Sequence, residues 1–173
     1  MNRFIGHLTT ITRHKIKVGK LCFKCGLYKQ GLLHDLSKYS WVEFSAGVKY
    51  FQGNRSPIDK EKEVVGYSKG WLHHKGRNKH HWEYWIDCNG KGVFGTKIPN
   101  KYIVEMFCDR VAASMIYYPN NYTTSKPLEY FMLNQHNYCM NEESKQTLRD
   151  MLEMYAQKGL DETVAYIKKE ILK

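Results

Sequence analysis

Two adjacent residues, His34 and Asp35, combine an imidazole nitrogen with a carboxylate oxygen. That donor set suits Mn, Fe, Ni or Zn. One such pair arises often by chance, so its surroundings matter. His14 lies 20 residues earlier, and Asp109 lies far downstream within Glu105-Met106-Phe107-Cys108-Asp109-Arg110. Read as helices, the three segments offer four ligands on three helices, as a metal site in a bundle core requires. Adjacent helical residues point about 100° apart, so His34 and Asp35 can both lean toward an ion off the helix face. Met106, Phe107, Val111, Ala112 and Ala113 put Asp109 near the buried side, where an unpaired carboxylate is costly. His14 stands among Arg13, Lys15 and Lys17 and competes with a solvent-facing reading.

A second concentration is the run Trp71–Trp85, which holds His73, His74, His80 and His81 within nine residues. In one continuous helix His74 and His81 would share a face but sit about 10 Å apart along the axis. That is too far for one ion, so either the helix breaks at Gly76 or the two histidines do different jobs. Adjacent helical histidines diverge, so one of each pair is expected to face inward. His74 and His81 are the choice, with His73 and His80 a nearly equal alternative. A basic surface patch is the competing reading of the whole run. His7 and His136 have no companions and read as structural or exposed.

The order His14, His34-Asp35, Asp109 resembles the H…HD…D signature of the HD-domain superfamily of metal-dependent phosphohydrolases. The segment His34-Asp35-Leu36-Ser37-Lys38 is similar to its HD-x-x-K variant. More closely, His34–Tyr39, Trp71–Trp85 and Glu105–Ala113, roughly a fifth of the chain, resemble an uncharacterised bacterial and phage family of unknown function. The resemblance implies an all-α, HD-domain-like helical bundle with a metal site between helices. In binuclear HD-domain proteins, histidines between the HD pair and the last aspartate bind a second metal. By that resemblance His74 and His81 would join His14, His34, Asp35 and Asp109 in holding one or two divalent ions.

The elements that must position these residues are helices. Apolar residues recur at near-helical spacing over 3–28. Gly31 opens a second helical segment, Leu32 to Tyr39, which would carry the HD pair in its interior. Ser40 reads as the N-cap of a helix from Trp41 to Tyr50, and 52–57 as a loop. A fourth helix is expected from Ile58 to about Lys75 despite Gly66 and Gly70, broken by Gly76-Arg77-Asn78. Asn78 would then cap a short helix holding His80 to Ile86. Residues 87–99 read as an irregular loop or small hairpin. Asn100 is expected to cap a helix over Lys101–Tyr118, ended by Pro119. Pro127–Tyr138, Glu142–Gln157 and Asp161–Leu172 complete the set, with Gly159 between the last two.

The chain has 173 residues, 42% of them hydrophobic, and 24 aromatics. That length and composition predict one folded domain over residues 1–173 rather than a disordered chain. No apolar run approaches the ~20 residues that cross a bilayer, and Met1–Thr12, interrupted by Arg3 and His7, does not read as a signal peptide. A soluble, cytoplasmic protein is the expectation. Lys and Arg number 27 against 17 Asp and Glu, a net charge of +10. That favours an anionic partner, either a small molecule or nucleic acid, without choosing. Cys22 and Cys25 form a lone CxxC with no second pair, and read as small buried hydrophobes.

These readings converge on a phosphohydrolase for a nucleotide or small phosphorylated metabolite. Asp35 would bind metal while orienting or deprotonating the attacking water. Lys38, one helical turn after His34, would offset phosphate charge, as would Lys75 or Arg77, with His80 a further substrate contact. Two alternatives stand beside it: a di-iron oxygenase on the same fold, and a non-catalytic basic module that binds nucleic acid.

Overall fold

The computed structural model describes residues 2–173. Asn2 opens helix α1 (Arg3–Lys24) by accepting from the Phe4 amide, and Gly26, at φ 82°, turns the chain beyond its end. α1 packs against the long helix α6 (Asn100–Tyr117), which supplies the centre of the core with Val104, Phe107, Cys108, Val111 and Ala112, all fully buried. α7 (Lys126–Asn134) and α8 (Glu142–Lys158) cover another side of α6. Asn141 starts α8 by accepting from the Ser144 amide. α9 (Leu160–Tyr166) packs beside α8 and runs on as a π-helical turn to Ile171. Cys22 and Cys25 lie in this core with Cys108, as free thiols.

Residues 28–97 are built differently. They form α2 (Tyr28–Leu33), a 3-10 turn over Leu36–Tyr39, α3 (Trp41–Tyr50), α4 (Pro57–Val65), α5 (Lys69–Lys75) and a 3-10 turn over Trp82–Trp85. A two-stranded antiparallel hairpin follows, β1 (Ile86–Asn89) on β2 (Gly92–Gly95), with Ile86 opposite Gly95. Phe51 is the one apolar side chain buried in this stretch among the described residues. Its other buried side chains are polar: His34, Asp35, Glu43, Glu61, Ser68, His74, Asn78 and His80. This layer docks on α1 through α2 and α3. Gly47 allows that approach, since a Cβ there would stand 2.1 Å from His7 Nε2. His7 is accordingly buried rather than exposed, and burial, aided by the charge of Lys38, lowers its pKa to about 4.

The helical expectation holds at the level of class, with several boundaries corrected. The HD pair does not lie inside a helix: α2 begins at Tyr28 and stops at Leu33, and the chain breaks at His34 and Asp35. The expected helix from Ile58 to Lys75 is two helices, because Gly66 adopts φ 87° and ends α4. Asn78 caps no following helix. Its amide donates back to the His74 carbonyl at 2.8 Å and to Ser37 Oγ at 2.8 Å, closing the end of α5 instead. Asn100 is the first residue of α6, after Pro99 in the cap position, and its side chain donates to the Ile171 carbonyl. Among the described residues no helix is long and apolar enough to cross a membrane.

Candidate metal centre

The break after α2 is what makes His34 and Asp35 converge. Their adjacency would splay them about 100° apart in a helix. Instead His34 is extended, at φ −51° and ψ 126°, and Asp35 is left-handed, at φ 55° and ψ 25°. Asp35 is the one non-glycine residue with positive φ among those described. Aspartate tolerates that region better than most residues, and such strain concentrates at functional sites. Lys15 holds the break in place. Its ammonium donates to the carbonyls of Leu32 at 2.7 Å and His34 at 2.8 Å, satisfying groups that the end of α2 leaves open.

The side chains meet in two groups of four. His14 from α1, His34, Asp35 and Asp109 from α6 form the first; Asp35, His74 from α5, His80 and His81 form the second. Asp35 belongs to both, and uses a different oxygen in each. Its Oδ2 is 3.3 Å from His34 Nε2 and 3.7 Å from His14 Nε2; its Oδ1 is 3.3 Å from His74 Nε2 and 3.4 Å from His80 Nε2. Asp109 Oδ1 closes the first group, 2.8 Å from His14 Nε2 and 3.6 Å from His34 Nε2. Donors around an ion with bonds of about 2.1 Å stand roughly 3.0–3.4 Å apart, so these spacings could hold a metal ion.

Partner counting points the same way. Buried polar atoms are normally hydrogen-bonded. Nε2 of His14, His34, His80 and His81 and both oxygens of Asp35 are buried without a hydrogen bond of acceptable geometry. The opposite ring nitrogens of His34, His74 and His80 are held. Glu105 Oε1 accepts from Nδ1 of His34 at 2.9 Å and of His80 at 3.1 Å. Glu43 accepts from Nδ1 of His74 at 2.7 Å and of His73 at 2.6 Å. With the proton on Nδ1, each of His34, His74 and His80 turns an Nε2 lone pair inward, as metal-ligating histidines do. The two groups could therefore hold metal ions, with Glu105 bracing one histidine of each.

The electrostatics are those of a site built around positive charge. Burial alone would raise the Asp35 pKa, but His34, Lys38 and His74 hold it well below the usual carboxylate range. Burial opposes charge on His34, yet Asp35, Asp109 and Glu105 hold its pKa well above an ordinary imidazole. His81 is kept neutral by burial and by His80 and His74, and its pKa falls well below the ordinary value. Lys38 Nζ lies 2.5 Å from Asp35 Oδ2. Burial works against its charge, but Asp35 and Asp109 raise its pKa above that of a free ammonium, so it stays protonated.

The structure places the expected residues unequally. His14, His34, Asp35, His74, His81 and Asp109 are brought together. His80 joins them as a potential ligand rather than lying beside the substrate. His73 does not join them: its Nδ1 donates to Glu43, the carboxylate that also holds His74, so one histidine of the helical pair offers a ligand atom to the centre. The divergence expected of adjacent histidines fails for His80 and His81, which sit in an irregular turn where both rings can face one way. A cleft of about 450 Å3 opens onto His80, His81 and Asp109. Arg55, Lys62 and Arg110 are its cations, whereas Lys75 and Arg77 line neither this cleft nor the smaller cavity behind Lys38. Arg77 is exposed and donates to the His73 carbonyl.

Glu43, Glu105 and Lys15 escaped the sequence reading, since acidic and basic residues on helices are usually solvated. Glu105 carried a signal: it is one helical turn before Asp109, on the same face. Replacing Glu105 with Gln should weaken metal binding about 10- to 100-fold, because a neutral amide cannot accept well from two imidazoles at once. Competition against a chromogenic chelator would measure it. Loss from both sites is expected, since His34 and His80 belong to different groups.

Comparison with known proteins supplies the class. A model for a family of unknown function, DUF5662, matches residues 3–154, and the chain belongs to that family. No curated protein and no solved structure matches.

Proposed function

We propose that the chain is a metal-dependent phosphohydrolase of HD-domain type, acting on a nucleotide or small phosphorylated metabolite. The observation that carries this reading is the pair of four-donor groups sharing Asp35, with a cation-lined cleft opening on both. Paired metal sites are a recurring solution for displacement at phosphorus. His14, His34 and Asp109 would hold one ion with Asp35, and His74, His80 and His81 the other. Such ions supply Lewis acidity and lower the pKa of water. The protein's own groups divide the remaining work. Asp35, with its side chain 2% exposed, serves both groups at once, whereas Asp109 is 19% exposed and lines the cleft. The role of orienting the attacking water therefore passes from Asp35 to Asp109. Lys38, expected at the phosphate, lines the smaller cavity rather than the cleft, and its ammonium would keep Asp35 ionised as a shared ligand.

Elemental analysis of untagged protein, followed by phosphate-release assays with the metal found, tests the proposal. About two equivalents of Mn, Fe, Ni or Zn and phosphate release that His34→Ala and Asp109→Ala abolish are expected. Iron with oxygen-dependent turnover and no phosphate release would favour the di-iron oxygenase. Absence of metal even after reconstitution, with salt-sensitive oligonucleotide binding that survives both substitutions, would favour the nucleic-acid module.

A further inference from the structure

The cleft has a second pole beyond the candidate metal centre, and the ligand-bearing segments lead into it. His80-His81 continues directly into Trp82 and Glu83, and Asp109 is followed by Arg110; all line the cleft. Trp82 stacks against Tyr138 with ring centres 5.4 Å apart, and Tyr130 extends the aromatic wall. Arg110 is fixed above two rings, 5.8 Å from the centre of Phe131 and 5.2 Å from that of Tyr138. Its Nη1 donates to the Tyr138 hydroxyl at 3.3 Å.

Two polar atoms on this wall are buried and without a partner: Arg110 Nε and Glu83 Oε2. Neither satisfies the other. The remaining cations of the cleft are engaged elsewhere, Arg55 by both oxygens of Glu63 and Lys62 over the Trp71 ring at 5.5 Å. Leaving a buried donor and a buried acceptor unpaired is unfavourable. A ligand that brings an acceptor to Arg110 and a donor to Glu83, on a flat body that lies against aromatic rings, relieves both. The edge of a heterocyclic base offers that combination. The cleft volume, about 450 Å3, falls within the range of small-molecule sites.

We infer that Arg110 and Glu83 are specificity-determining residues that read the base edge of a nucleoside phosphate whose phosphoryl group lies at the metal centre. The phosphate end of this inference rests on the phosphohydrolase reading; the base end rests on the cleft wall alone. The pairing joins Arg110, the residue after Asp109, to Glu83, two residues after His81.

The test compares the metal-loaded full chain with Arg110→Lys and Glu83→Gln, which keep size while removing the guanidinium fork or the carboxylate. Adenosine and guanosine monophosphates, ribose 5-phosphate and inorganic phosphate are titrated calorimetrically, and the three esters are assayed for turnover. At least one nucleotide should exceed ribose 5-phosphate by about 100-fold or more in kcat/KM. Each substitution should cut that ratio about 10- to 100-fold, through KM rather than kcat, with metal content unchanged. A ratio that both variants leave intact, or a wild-type protein with no preference for a base, overturns the inference. If no ester is hydrolysed, the phosphohydrolase reading fails, and calorimetry still decides this one. Nucleotide binding weakened by both variants upholds it; nucleotide binding that is absent, or equal in all three proteins, overturns it.

Discussion

Asp35→Asn should empty both halves of the candidate centre, whereas His14→Ala should empty one. The difference follows from how each side chain is shared. His14 contributes a single nitrogen to the first group only, and three donors remain there after its loss. Asp35 presents Oδ2 to His14 and His34 and Oδ1 to His74 and His80. In asparagine one of these oxygens becomes an NH2 group, which has no lone pair to offer. The other becomes a neutral amide oxygen. One group thus loses a donor outright, and both lose the charge that offsets a divalent ion amid neutral imidazoles. Elemental analysis should find near zero metal in Asp35→Asn, about half the wild-type content in His14→Ala, and both proteins folded by circular dichroism. Phosphate release should fall at least about a thousandfold in Asp35→Asn, the equivalent of about 4 kcal/mol of lost transition-state stabilisation. Retention of one full equivalent by Asp35→Asn would show that the carboxylate is not shared.

That sharing was only half visible in the sequence. The types and order of His14, His34-Asp35 and Asp109 marked a metal site because imidazole and carboxylate donors recurred on separate apolar segments. What linear reasoning missed was the backbone. Treating His34 and Asp35 as interior to a helix predicts divergence, whereas a left-handed Asp35 turns its two oxygens toward different histidines. Gly66 was tolerated within one long helix, but its positive φ bends the chain so that α5 returns to the site. At the second histidine cluster, the helical rule left His74 and His73 nearly equal and could not describe 80–81, which are not helical. The cations that line the cleft differ from the expected substrate contacts Lys75 and Arg77 for a related reason. Lys75 and Arg77 are close to the histidines in sequence, while Arg55 and Arg110 reach the cleft only through packing of α4, α6 and α7. Such long-range placement leaves no mark in local spacing.

Stripping the metal should unfold the two halves of the domain unequally. The core around α6 is apolar and draws on residues 18–27 and 98–167, all from elements outside the histidine-bearing layer. Residues 28–97 add only Phe51 to the buried apolar side chains, and invest their buried positions in His34, Asp35, Glu43, His74 and His80 instead. Hydrophobic burial holds that layer less strongly than the α6 core, since beside Phe51 it offers only half-buried apolar side chains such as Trp82 and Trp85. Two bound ions sharing Asp35 would tie the layer down, one joining α1, the end of α2 and α6, the other joining the end of α2 to α5 and the 80–81 turn. Free metal at about a thousandfold over its dissociation constant contributes about 4 kcal/mol. For a chain of this size each kcal/mol moves Tm by about 2–4 °C, so chelation should lower Tm by about 8–16 °C for each ion removed. Hydrogen exchange after chelation should accelerate across 28–97 while α6 and α8 keep their protection, because regions open in proportion to their own contacts. Restoring the native metal should reverse both changes, and Ca2+ should not, since it favours oxygen-rich sites of six to eight ligands. Uniform loss of protection across α6 and α8 would show instead that the two layers unfold as one unit.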